Sequence, residues 1–162
     1  MQIHGIISQF PNEIKGLIFA FIITLSIGFY SSISFVNTTS KSNPQGIEER
    51  YLGNEENEMA TTMQFKKSKA EILTLVHNHI LSLSVIFFLL GGILATTSVH
   101  KKLKLFLMIE PFVSILLTFG GIYFMWSGFV WMKYIIMISG MLMTITFFAS
   151  TFYILRDIII KK

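Results

Sequence analysis

Four apolar stretches dominate this chain, at residues 17–36, 79–98, 103–126 and 131–155. Each is close to or above the roughly 20 residues a helix needs to cross a bilayer. Hydrophobic residues make up 52% of the 162 and charged residues only 14%, against about 25% charged in ordinary soluble domains. A soluble domain of this size has too little interior to hide four such blocks, whereas lipid accepts their outer faces. The expectation is an all-α, polytopic transmembrane bundle of four antiparallel helices. It forms a single domain over residues 1–162, with one longer polar loop at 37–70.

The connectors constrain the topology further. His100-Lys101-Lys102 and Ser127-Gly128 are too short for anything but tight reversals, so the last three helices should run up, down and up. Trp126 and Trp131 flank the second reversal with Tyr123 and Tyr134 nearby, the aromatic belt of a membrane–water boundary. The start of the second helix lies at that same surface. Before the first block, Ile3, Ile6, Ile7 and Phe10 recur at helical spacing and are followed by Pro11, which suggests a short helix lying on the interface. A cleaved signal peptide is the rival for the first block, with Ser32 and Ser34 as small residues near a cleavage site. Against it stand the length of the block and a leader whose one basic residue is Lys15.

The net charge is +4 and the pI about 9.4. The basic residues sit beside apolar blocks, where membrane-surface anchoring explains them and nucleic-acid binding is not expected. With both termini cytoplasmic, the inner segments hold Lys15, Lys101, Lys102, Lys104, Arg156, Lys161 and Lys162. The outer segments hold Lys41, Arg50, Lys66, Lys67, Lys69 and Lys133. The inner set is concentrated in tails and a tight loop, where the rule counting Lys and Arg works best. The reading is therefore a multi-pass cell-membrane protein with cytoplasmic termini.

The chain has no cysteine. That excludes disulfides, thiolate metal sites, iron–sulfur clusters and cysteine nucleophiles. Walker loops, nucleophile elbows, zincin motifs and dinucleotide fingerprints are also missing from the sequence. No catalytic residue is assigned and no cofactor is expected.

Three residues remain as candidates for a ligand or polar site: His77, His79 and Glu110. His77 and His79 are two apart, about 200° around a helix, so one helix cannot aim both at a single metal ion. His77 shares a seven-residue spacing with Ser84, Gly91 and Ser98. Small residues on such a stripe mark close helix approach, which places His77 inside the bundle and His79 elsewhere. Glu110, followed by Pro111, is the acidic residue that falls inside a span. An intramembrane carboxylate is a functional candidate by default, and the bland expectation is pairing with Arg156, Lys102 or Lys104. The polar loop carries Glu48, Glu49, Glu55, Glu56 and Glu58 around Tyr51. It is expected to fold back over the outer end of the second helix, whose start shows a capping box in Ser68 and Glu71.

The run Gly46-Ile47-Glu48-Glu49-Arg50-Tyr51-Leu52-Gly53-Asn54-Glu55, then Phe65-Lys66-Lys67-Ser68 and His77-Asn78-His79, resembles a family of small uncharacterised bacterial four-helix integral membrane proteins. The resemblance implies a bacterial membrane protein and transfers no catalytic residue. Three functions stay open. The first is a non-enzymatic accessory subunit or packing partner for other membrane proteins. The second is a haem- or metal-binding redox protein using His77 or His79. The third is a transport component using Glu110.

Overall fold

The computed structural model of the chain describes residues 6–55 and 62–160. Ile3, Glu56, Glu58, Lys161 and Lys162 lie outside them. Six α-helices account for most of what is described: α1 Asn12–Ser40, α2 Pro44–Leu52, α3 Lys69–Ala95, α4 Lys101–Ile115, α5 Gly121–Trp126 and α6 Met132–Ile159. A single π turn, Leu116–Gly120, joins α4 to α5. The two therefore form one apolar helix over Lys101–Trp126, and with α1, α3 and α6 it gives four helices long and apolar enough to cross a membrane.

Local chemistry sets the boundaries. α1 stops where Lys41 and Ser42 adopt left-handed backbone, φ 49° and 46°. Asn43 then opens α2, accepting the Gly46 N–H at 2.7 Å, with Pro44 in the first turn, where its missing N–H costs nothing. Gly46 runs so close to the Ser40 carbonyl that a β-carbon has no room. The Ser68–Glu71 capping box opens α3 as expected: Ser68 N–H donates to the Glu71 carboxylate at 2.8 Å and Glu71 N–H returns to Ser68 Oγ at 3.3 Å. α3 ends in Thr96 and Thr97, whose hydroxyls donate back to Ile93 and Leu94 carbonyls at 2.7 Å each. The Lys104 ammonium closes the same end, donating to the Ala95 and Thr97 carbonyls at 2.9 and 2.5 Å.

Long-range hydrogen bonds tie the ends of the bundle. At one end Ile7 N–H donates to Thr96 O at 3.2 Å, and Ser98 meets Asp157. The first and last described segments thus share the face of the α3–α4 connector. At the other end Trp126 Nε1 donates to Lys67 O at 2.8 Å, and Lys133 pairs with Glu48 at 2.6 Å.

The N-terminal segment folds onto the end of the bundle. Ile6–Gln9 is a 3₁₀ turn, and Ile7 is fully buried against the bundle. Burial of that side chain at the α3–α4 end removes its apolar surface from contact with water.

The core is unevenly shared. Half of the most apolar stretch of the α4–α5 span is buried, against 11% for α1. α1 is held by Ile18, Ile22 and a ring stack of Phe29 on Phe147 with centroids 3.9 Å apart. Large side chains such as Phe88, 71% exposed, and Phe152, 62%, look outward, as lipid contact allows.

Candidate functional site

The three sequence candidates fall in two separate places. His77 and His79 lie in the first turns of α3 near the Trp126 end, and Glu110 lies on α4. His79 stacks on Phe119 with ring centroids 4.7 Å apart, and Phe119 is nine residues beyond Glu110, about 13 Å along the helix. The structure brings neither histidine to Glu110.

His77 is exposed, not inside the bundle. The buried or half-buried line of α3 runs through Ile72, Val76, Leu83, Phe87, Leu90 and Leu94. His77 is one residue from Val76, about 100° around the helix, while His79 is three residues away, only about 60° off the line. The seven-residue row through His77 misled because it runs beside the inner row of Val76, Leu83 and Leu90, one residue round the helix. Its member Gly91 is buried against Met108, and its near member His77 is not. His79 Nδ1 donates to the Leu75 carbonyl at 2.8 Å, so its ring is fixed while its edge stays exposed. Among the described residues, no three His, Asp or Glu side chains converge as a metal site would require.

The polar segment does fold over the Trp126 end, but onto α6 and α5. Glu48 takes Lys133, and the Glu55 carboxylate accepts the Lys66 N–H at 3.3 Å. Lys67 N–H donates to Tyr51 O at 3.1 Å. Arg50 lies over the rings of Phe35 and Tyr51 at 4.9 and 5.7 Å. Burial raises the Tyr51 phenol above its ordinary value, with the Arg50 charge working the other way.

Glu110 is 7% exposed. Its carboxylate receives Ser114 Oγ from one turn along α4, and Thr146 Oγ1 from α6 at 2.7 Å. The row continues with Thr118, inside the π turn, 2.7 Å from Ser139 on α6. Expected pairing with Lys102, Lys104 or Arg156 gives way to this arrangement. Lys104 points back to the end of α3, Lys102 is exposed, and Arg156 is bound to Asp157 at 2.8 Å. The reason is reach: Lys104 and Glu110 are six residues apart on one helix, about 9 Å along the axis and about 120° round it, and the Lys104 ammonium turns the other way, to the end of α3.

Sequence reasoning missed Asp157 altogether. It is fully buried, and its carboxylate accepts the Ser98 N–H at 2.6 Å and the Ser98 hydroxyl at 2.7 Å. It also missed Thr146 as the partner of Glu110. The available signal was the recurrence of hydroxyl residues at Ser139, Thr146 and Ser150, seven and four apart in an otherwise largely apolar span.

Residues 41–162 match the Aq_1264_TM family, described as a transmembrane helical domain. The chain belongs to that family. The match covers α2 to α6 and begins just after α1. Family membership together with the four apolar helices makes this chain a multi-pass membrane protein. No curated protein and no solved structure matches the chain. The Aq_1264_TM match assigns no activity to Glu110, His77 or His79.

Proposed function

We propose that the chain is a non-enzymatic accessory subunit that docks through α1 onto a helix of another protein in the cell membrane, with both of its own termini cytoplasmic. The observation that carries the reading is the open face of α1. Gly16, Ala20, Thr24, Gly28 and Ser32 are each four residues apart, and all five are exposed. A β-carbon added at Gly16 or Gly28 would meet nothing within 4 Å. Such a row forms one ridge line of a helix, and small residues along it let a second backbone approach closely at a right-handed crossing. The Ser31 and Ser32 hydroxyls already donate to the Ile27 and Gly28 carbonyls at 3.0 and 3.2 Å, which lowers the cost of burying them against a partner helix. The basic pair Lys101-Lys102 in the tight connector supports the orientation.

The test is the size of the assembly in native membranes solubilised gently and resolved by native electrophoresis. Wild type should migrate in an assembly larger than the monomer. Gly28→Leu with Ser32→Leu should release it, while Ile145→Leu on the outward face of α6 should not. A monomeric wild type defeats the proposal.

A further inference from the structure

We propose that Glu110, Ser114 and Thr146 form an intramembrane site for one exchangeable monovalent cation, H⁺ or Na⁺. This goes beyond the docking role of α1 and does not depend on it.

The first argument is charge. A carboxylate this deeply buried needs a positive charge beside it or on it. The hydrogen bonds to Glu110 come from two neutral hydroxyls. Among the described residues, the charged and titratable groups on surrounding elements are occupied or distant. Lys104 donates to α3 carbonyls, and Arg156 holds Asp157 and stacks on Tyr153. Lys133 holds Glu48. His79 and Tyr123 lie toward the Trp126 end, nine or more residues along the span. Within the site the missing positive charge is left to a small mobile ion.

The second argument is the proton count. Thr146 Oγ1 lies 2.7 Å from Glu110 Oε2 and 3.0 Å from each of the Leu142 and Met143 carbonyls. A hydroxyl has one proton to give, yet three acceptors surround this one. A proton on the carboxyl, donated to Thr146 Oγ1, resolves the crowding. So does a sodium ion coordinated by the same oxygens, ligands that suit hard cations.

The third argument is the backbone. Pro111 supplies no N–H for the Leu107 carbonyl one turn below Glu110. Two residues after Ser114 the helix widens into the π turn. Breaks of that kind concentrate at functional positions, and this one carries Thr118 onto Ser139, extending the row of hydroxyls beyond the carboxylate.

The test uses the full-length protein in detergent, labelled with the hydrophobic carboxyl reagent dicyclohexylcarbodiimide and read by peptide mass. Glu110 should be labelled, and Glu110→Gln should lose that adduct alone. If sodium is the ion, NaCl but not choline chloride should suppress labelling. Thr146→Val, which keeps the carboxyl, should then raise the sodium needed by about tenfold, the worth of one charge-assisted hydrogen bond. If the proton is the ion, labelling should fall as pH rises and ignore sodium. Labelling that responds to neither, or an adduct absent at every pH tested, overturns the proposal.

Discussion

Asp157, near the C-terminal end of α6, accepts both the backbone N–H and the hydroxyl of Ser98, 59 residues earlier, at 2.6 and 2.7 Å. Ser98 sits in the α3–α4 connector, so this one carboxylate fastens the connector to the last helix. Its charge is balanced by Arg156 next door, whose guanidinium also leans on Tyr153.

Asp157→Asn should therefore destabilise the bundle. Breaking a buried pair by removing one partner costs about 3–5 kcal/mol. Arg156 keeps 34% of its side chain exposed, so we expect about 2–3 kcal/mol here once solvent screening is discounted. Thermal unfolding in detergent reads the loss. Arg156→Met together with Asp157→Asn should recover part of it, because no lone charge is then left behind. An Asp157→Asn protein as stable as wild type would show that the Ser98 contact is incidental.

Gly53 makes a second prediction. Its backbone has φ 86° and ψ 171°, a region that is close to glycine-only and costs other residues about 1–3 kcal/mol. A β-carbon there would also sit 2.7 Å from Lys66 N. The turn lets Asn54 N–H reach Gln64 O at 2.9 Å and Lys67 N–H reach Tyr51 O. Gly53→Ala should speed protease cleavage between residues 53 and 67 and lower the unfolding temperature. Unchanged cleavage would mean the turn adapts without strain.

The third prediction concerns Tyr51 at high pH. Burial favours its neutral phenol, so its folded value lies above the ordinary value near 10. The folded state then holds the proton more tightly than the unfolded chain. The corresponding stability is complete below the unfolded value and is lost as pH rises through the folded one. Unfolding temperatures of wild type and Tyr51→Phe should run parallel up to about pH 10 and separate above it, with wild type falling faster. Parallel curves throughout would remove Tyr51 from the account.

The four apolar helices were legible because length and composition alone announce a membrane segment, and the Ser68–Glu71 cap because its partners are three residues apart. The surroundings of Glu110 were harder to read. Charge complementarity pointed to Arg156 and Lys104, but each is satisfied locally, by Asp157 and by the end of α3. The actual partner, Thr146, is a small hydroxyl 36 residues away, and the neighbouring hydroxyls Ser139 and Ser150 mark its stripe without naming its partner. His77 was misplaced for a geometric reason: two seven-residue rows run side by side on α3, and the inner one is that of Val76, Leu83 and Leu90, one residue round the helix from His77. The fold-back of the Glu48 segment was foreseen, but its landing on Lys133 depends on how α6 starts, and local spacing does not encode that.

Lys104 gives the α3–α4 hairpin a property of its own. By donating to the Ala95 and Thr97 carbonyls, it satisfies the end of one helix from the beginning of the next, using only residues made in immediate succession. During synthesis this hairpin can lock while α6 is still inside the ribosome. The Asp157 clasp arrives last, onto a connector already in place. The order of emergence along the chain thus doubles as an assembly sequence: a neighbour-built joint sets the scaffold, and the long-distance fastening completes it.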